Sequence, residues 1–522
     1  MKKTFLLSTL TDKVICLVAL FSFLSFNHVA AQYTNESLLY ARSSIYGTAR
    51  TAGAAGAFGS VGADLGAISI NPAGLGLYRS TDIAVTPSIV VNNNEGQLDG
   101  SFSNQGNVKF NFTQAGMVFT KLFHKQTSGN EFSFNTTRLN SISFGLSYQR
   151  QAGFSRTQYF EGYNNTNSGI DAFTDYVNST HQPLTPDNYP IEMLLAYDAN
   201  LIGYNSINGS YFSNARGPIA QVGKITSKGG IDQVEFNIGG NVSDKFYFGL
   251  GLGVPILTYF NDAAFGEYNS GDSASAFQDY TFGYSLRNTG VGVNAKFGFI
   301  YRPATWMRFG VAYQIPTFWS ITETYSTYIA ANFDTAYYPI DAYADPFKYK
   351  LRSPMKGTAS LSFFLKEHGF FSFDYEFQNY GASRFDFGSQ FKNEATQVNA
   401  LEKKNFTFGH VLRAGFEGAY KTLRVRVGYA FSSTPYKKDA LVKGYAAARN
   451  NATAGIGYRG NRFYVDFAYV FGFMKDADNP YADFEVRNTL TSHTMFLTLG
   501  YKISKDNPPV KKKQAREPRM SF

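Results

Sequence analysis

Six charged residues have types and spacing that could do chemistry: Asp374 and Glu376, Arg413 and Glu417, Arg424 and Arg426. Each pair is separated by an even number of positions, so on an extended strand each pair shares one face. Such a set predicts a ladder of ion pairs, either a structural brace or a polar path. It holds no nucleophile. Gly455, Gly457 and Gly460 form a G-x-G-x-x-G. A nucleotide cradle of that form opens a helix, whereas here a strand pattern follows, so we expect a strand and its turn. No G-x-S-x-G, H-E-x-x-H or phosphate-loop signature is present, and the six His residues are scattered. The one cysteine, Cys16, lies in the amino-terminal apolar segment, which excludes a disulfide framework or thiolate metal site in the rest. The expectation is a non-enzyme with no metal and no cofactor.

The elements that carry these residues alternate with period two. Leu423, Val425, Val427, Tyr429 and Phe431 interleave with Arg424, Arg426, Gly428, Ala430 and Ser432. Phe371, Phe373, Tyr375 and Phe377 interleave with Ser372, Asp374, Glu376 and Gln378. Fourteen such segments are predicted, with cores near 81–92, 107–122, 139–153, 229–240, 245–260, 279–301, 305–329, 347–365, 369–383, 404–419, 423–434, 447–459, 462–474 and 490–503. From the fourth onward, tight turns alternate with long connections. An even strand count, aromatic residues at 17% and short turns on one side only are what a 14-stranded antiparallel transmembrane β-barrel requires. Beyond residue 31 no apolar run is long enough for a helical span. Arg on the lipid face would cost about 2–4 kcal/mol near the midplane, which assigns the charged ladder to the lumen.

Pro255 and Pro316 are predicted to interrupt strands five and seven. Leu257, Tyr259, Phe318, Val470 and Met474 are expected to face an apolar upper lumen. A short helix over 191–202, carrying Met193, Leu194 and Leu195, is expected to cap it as a ligand-binding pocket. In strand two the apolar parity shifts between Phe112 and Ala115, which predicts a bulge.

The ends read differently. Lys2, Lys3 and Lys13 precede the apolar run 14–26, and Val29-Ala30-Ala31 offers small residues, so residues 1–31 read as a secretory signal cleaved after Ala31. Residues 504–522 are a basic tail with six Lys/Arg against two acids. The chain's net charge of +9 is therefore largely a property of its ends, and nucleic acid is not an expected partner.

Between signal and first strand, residues 47–59 are rich in Gly and Ala, and Asp64 is followed by Asn71-Pro72-Ala73-Gly74-Leu75. This stretch resembles the FadL/TodX family of outer-membrane transporters for long-chain fatty acids and aromatic hydrocarbons. The resemblance covers residues 41–90 well and elsewhere rests on strand pattern. It implies an N-terminal hatch (32–80, with Asp64, Asn71, Pro72, Ala73 and Gly74 as gate residues) inside a barrel (81–503). It also implies passive uptake of a hydrophobic small molecule across the bacterial outer membrane, with sideways exit through the wall, for which Gly116 and its neighbours beside the strand-two bulge are the candidate, an ordinary register adjustment being the alternative reading of that bulge. The alternative is a FadL-like barrel serving as scaffold or shuttle in a protein secretion system, with exported or periplasmic protein partners. The longest loop, about 154–228, matches nothing in the family pattern.

Overall fold

The computed structural model describes residues 27–503, apart from 99, 124, 128–130, 134–138, 166, 187, 216–217, 272–274, 441–444 and 482–483. The expected apolar core of the signal and the basic tail lie outside these residues. Fourteen wall strands close into one antiparallel barrel. They are β1 (Thr81–Leu98), β2 (Ser101–Leu122), β3 (Leu139–Gly153 and Arg156–Asn164), β4 (Ile219–Val242), β5 (Phe246–Asn269), β6 (Phe277–Ala304) and β7 (Met307–Gln314 and Phe318–Phe333). The second half comprises β8 (Ala336–Tyr343, Phe347–Arg352 and Lys356–Phe364), β9 (Gly369–Asn379 and Arg384–Asp386), β10 (Phe408–Tyr420), β11 (Leu423–Ser432), β12 (Arg449–Arg459), β13 (Phe463–Tyr481) and β14 (Phe484–Ile503). Each strand pairs with its neighbours in sequence, and β14 returns to β1 from Thr81↔Ile503 to Gln97↔Arg487, so the sheet has no end. Each of the fourteen predicted cores overlaps a wall strand, although the one at 404–419 begins inside the helix Lys392–Asn405 and its strand starts only at Phe408.

Side-chain alternation separates two environments. Val425, Val427 and Tyr429 are about half exposed at 48%, 51% and 49%, whereas Arg426 between them is 0% exposed. An apolar outer face over a polar interior suits a wall with lipid outside. Aromatic pairs gird the short-turn end: Phe246–Tyr301, Phe371–Phe416 and Phe463–Tyr501 have ring centroids 4.8, 4.7 and 4.7 Å apart. The tight turns need left-handed backbone at Ser243, Asp244, Lys366 and Lys421. In the first, Asn241 Oδ1 accepts the Asp244 amide at 3.0 Å.

At the other end several expected loops are tall hairpins. β7 runs to Phe333 and turns directly into Ala336–Tyr343, so the segment expected to be a loop at 330–346 is mostly strand. Helices cover the mouth: α4 (Gly169–Thr180), α5 (Ile191–Asp198) and α6 (Lys392–Asn405). α1 (Asn27–Ala41), α2 (Ala49–Gly53) and α3 (Leu65–Ile68) belong to the chain that fills the lumen.

Pro316 lies in the break between the two halves of β7, as expected. Pro255 does not interrupt β5, which is continuous. Pairing to β4 runs through it (Pro255↔Gln233), and only the pairing to β6 lapses, between Gly253↔Asn294 and Ile256↔Val291. A proline lacks one amide donor, and a single lapse in one ladder accommodates that.

Candidate functional site

Residues between Ala41 and Tyr78 pack through small apolar clusters, such as Leu65, Ile68 and Leu75 against Val118 and Phe58 against Phe370, and through close backbone contacts. Thr48 caps α2, Asp64 caps α3, and Asn71 caps the 3-10 turn Pro72–Leu77. The Asp64 carboxylate also accepts the hydroxyls of Thr48 and Thr51 at 2.5 and 2.9 Å, tying two turns together. Asn71 Nδ2 donates to the Gly59 carbonyl at 2.7 Å, while its Oδ1 accepts the Ala73 amide at 3.0 Å. Gly74 lies against Gly62, and its carbonyl accepts the Ala63 amide at 3.2 Å. The wall answers with inward glycines. A Cβ on Gly310 would sit 2.6 Å from the Gly59 carbonyl, one on Gly428 2.7 Å from Ala54, and one on Gly249 would strike Pro72. Gly455 meets Gly53 in the same way, while Gly457 leaves room for the side chains of Asp466 and Arg426; these two glycines of the G-x-G-x-x-G are strand residues, and its third, Gly460, is in the turn.

The expected charge ladder is there in part and is larger than expected. Arg413 pairs with Glu376 at 3.0 Å, and Arg426 with Glu417 at 2.6 Å. Arg426 also reaches Asp466 at 2.7 Å, which in turn binds Arg459 at 2.8 Å. Arg50, from the lumen chain, reaches Glu417 at 2.8 Å, while Asp64 lies 3.9 Å from both Arg50 and Arg459. Asp374 and Arg424 are corrections. Asp374 accepts the Gly59 amide at 2.9 Å and pairs with no cation among the described residues. Arg424 sits at the short-turn rim and donates to the carbonyls of Lys421 and Leu423. Arg50 was missed because the lumen segment has no periodicity to mark its faces. Asp466 and Arg459 were legible, since both share the inward parity of their strands.

Above the filled lumen lies a chamber of about 710 Å³. Tyr259, Tyr280, Phe282, Tyr284 and Leu286 form one wall, α1 and the segment Arg42–Tyr46 form its floor, and Ile170, Phe173 and Met193 form its roof. The roof helices are latched to the barrel. Glu267 of β5 accepts the Ser168 hydroxyl and, at 2.8 Å, the Gly169 amide; Tyr325 of β7 donates to Glu192 at 2.7 Å. Of the expected ligand residues, Met193, Tyr259, Val470 and Met474 line this space. Leu257 is buried in the aromatic cluster around α1, Leu195 in the core under α5, and Leu194 is half-buried off the chamber. Phe318 is a correction: it is 51% exposed on the outer face. The break at 315–317 shifts side-chain parity, so Trp319 points inward instead.

The predicted bulge in β2 is present. Thr86 pairs with Gln114 and Pro87 with Phe112, leaving Thr113 over. Its hydroxyl donates inward to the Thr86 carbonyl at 2.8 Å. Gly116 is not at an opening, since it pairs with Ala84 on one side and Ser147 on the other. The seam opens just above it. β2 and β3 pair only over Gln114–Leu122 and Ser141–Gln149, while Ser101–Phe112 pair with β1 alone. Beyond the break at Phe154-Ser155, β3 runs behind the β1–β2 hairpin, held by Asn92 Nδ2 to the Ser155 carbonyl at 2.6 Å. Lys109 and Asn111 on β2 and Gly153 to Arg156 on β3 line the chamber, so it extends to this seam.

No family model and no curated protein matches the sequence. Among solved structures, a FadL homologue of Pseudomonas aeruginosa aligns over 88% of this chain and 99% of its own at TM-score 0.51 and 12% identity. The Pseudomonas putida toluene transporter TodX gives 88%, 99%, 0.48 and 12%, and the Ralstonia pickettii toluene transporter TbuX 87%, 98%, 0.44 and 14%.

Proposed function

From a chain with the fold of a FadL-type barrel, we propose a channel for passive uptake of hydrophobic small molecules, such as a long-chain fatty acid or an aromatic compound, across a bacterial outer membrane. The observation that carries this reading is the chamber: a roofed cavity with one aromatic wall ends on a lumen closed by residues 41–78 and continues to an unpaired seam in the wall. In this reading residues 32–80 are the hatch, with Asp64, Asn71, Pro72, Ala73 and Gly74 holding it shut. The short-turn end faces the periplasm and the helices α4 to α6 face outward. An apolar ligand leaves water for the chamber at about 25 cal/mol per Å² of buried apolar surface, then moves sideways into lipid without crossing the charged lower lumen.

The sole cysteine lies within the expected signal, so the seam can be stapled cleanly. Asn107 Oδ1 and Ser155 Oγ face each other across it at 3.4 Å. The N107C/S155C pair, oxidised, is expected to slow uptake of a labelled ligand into proteoliposomes, and reductant is expected to restore it. Equal uptake in both redox states would remove the seam from the path; absence of ligand binding in the unmodified protein would remove the uptake reading.

A further inference from the structure

On the outward face of β4 to β8 the side chains change in a fixed order from the short-turn end upward. Val254 and Ile256 of β5 and Val291 and Val293 of β6 are exposed and apolar, as a lipid-facing band requires. Cations follow. Lys228 of β4 lies opposite Phe260 of β5, which lies opposite Arg287 of β6, whose guanidinium stands 5.6 Å from the Phe260 ring. On β8, Lys348 and Lys350 lie opposite Thr322 and Ser320 of β7, with Arg352 one step lower. All five cations are exposed, and among the described residues none has an ion-pair partner. The strand pairing brings two acids beside them: Asp386 faces Lys350, and Asp262, next on the outer face after Phe260, accepts the Ser285 hydroxyl at 2.6 Å. The belt therefore keeps a positive surplus. Lys and Arg on the outer face are costly at the bilayer midplane and nearly free at the interface, which sets the belt at the level of the headgroups. Above it the wall leaves the lipid. There a notch of about 330 Å³ opens on the outer surface over Ala264, Ser285 and Ser326, edged by Lys224, Asp262, Tyr328, Asp341 and Tyr343. Tyr343 is 80% exposed, an aromatic face held in water on the same side of its strand as Asp341. A sugar ring suits such a hollow, with its C–H face on the aromatic ring and its hydroxyls donating to the carboxylates.

We propose that this flank of the barrel binds a phosphorylated glycolipid of the surrounding leaflet. The orientation is that of the uptake reading, on which the proposal rests: the short-turn end faces the periplasm, so the belt lies in the outer leaflet. The acyl chains run along the valines and Ile256, the phosphates lie on Arg287, Lys348 and Lys350, and the sugars enter the notch. The cations select a phosphate over a neutral headgroup. The notch above them selects a headgroup that continues as sugar over one that ends at the phosphate. Apolar, cationic and hydroxyl-binding zones thus stack in the order in which such a lipid presents its parts.

The test is native mass spectrometry of the full mature chain, delipidated in a non-ionic detergent. The probes are a bisphosphorylated disaccharide lipid, the same lipid extended by further sugars, its dephosphorylated form, and phosphatidylglycerol. The bisphosphorylated lipid is expected as a single adduct, about 10- to 100-fold tighter than the dephosphorylated form, with the difference shrinking as ammonium acetate is raised. The extended lipid is expected to bind tighter again. R287Q/K348Q/K350Q is expected to bring the phosphorylated lipid down to the dephosphorylated level, and Y328A/Y343A to remove only the gain from the added sugars. Heat-modifiable migration shows that each variant has folded. Equal binding of the phosphorylated and dephosphorylated lipids by the parent would overturn the proposal. Phosphatidylglycerol bound as tightly as the bisphosphorylated lipid would overturn it too, leaving a surface for any anionic lipid. Uptake of a labelled ligand into vesicles of phosphatidylcholine alone needs no glycolipid, so the triple variant is expected to match the parent there. Failed glycolipid binding with normal uptake overturns this site alone, whereas failed uptake by the parent overturns the uptake reading.

Discussion

Arg426 has no exposed surface and stands between two carboxylates, Glu417 and Asp466. Each of those keeps a second cation, Arg50 or Arg459, so the set is a chain of alternating charge rather than isolated pairs. Removing one partner of a buried pair costs about 3–5 kcal/mol, because the remaining charge stays desolvated. Here both carboxylates retain an Arg, so R426M is expected near the lower end, about 3 kcal/mol, by guanidinium unfolding in detergent. Adding E417Q and D466N strands Arg50 and Arg459 in turn and is expected to lower stability further. An R426M protein as stable as the parent would mean that the chain of charges is hydrated and holds nothing. Glycines act at the same scale by the opposite means. Gly428→Val would drive a side chain into the Ala54 backbone, and overpacking of this kind costs about 1–3 kcal/mol. The cost falls on seating of the lumen chain rather than on the wall, so proteolysis within 42–78 should rise before the barrel unfolds.

Helix α6 docks on α1 through an apolar cluster that joins Ala395 and Val398 to Tyr33, and through one buried carboxyl. Glu402 accepts the Ser37 hydroxyl at 2.7 Å and packs near Ser383 and Arg384, and burial pushes its pKa up from 4.5 to about 8. The folded form therefore holds a proton that an undocked helix would release. Docking is fully favoured below about pH 4.5, weakens as pH rises, and loses this contribution above about pH 8. Protection of the amides over 392–405, relative to the intrinsic base-catalysed exchange rate, is expected to fall between about pH 5 and about pH 8, and Glu402→Gln to flatten that dependence; protection that stays constant across this range in the parent protein would show the carboxyl to be solvated. Neither α6 nor its contact was legible in the sequence, because the segment 392–405 has few apolar positions and lies between two strong strand patterns. The strands themselves were legible, since lipid outside and polar lumen inside impose period two on every one of them. What period two hides is continuity. The break at 315–317 turned Phe318 outward, and the missing β2–β3 pairing left no mark on alternation, because an unpaired edge keeps its side-chain faces. The bulge at Thr113 was the one local trace of the seam: it adjoins Gln114, where the pairing ends, whereas Gly116 lies two residues inside the paired stretch.

At the scale of the whole molecule, the wall and the chain inside it solve each other's problem. The barrel interior carries Ser362, Asp374, Glu417, Thr453 and Thr498, all buried. A dry cylinder lined this way would leave polar groups unsatisfied at a cost of about 1–3 kcal/mol each. Residues 41–78 satisfy many such groups with backbone amides and hydroxyls, as in Ala49 N to Thr498 Oγ1 at 2.7 Å and the Ser60–Ser362 hydroxyl pair at 2.6 Å. Water could do the same, so the wall does not need the lumen chain in order to close, because its strand pairing from β1 to β14 is complete below the seam. Deleting 42–78 is therefore expected to leave a folded, heat-modifiable barrel whose lumen fills with water. In planar bilayers the full chain is expected to insulate, since its lower lumen is packed, and the deletion to show steady ionic conductance. Both R426M and Gly428→Val should lie between, as brief openings, if the charge chain and the inward glycines are what seat the lumen chain. A deletion that still insulates would place the seal elsewhere, in the roof of α4 and α5, and would take the gate away from Asp64 and Asn71.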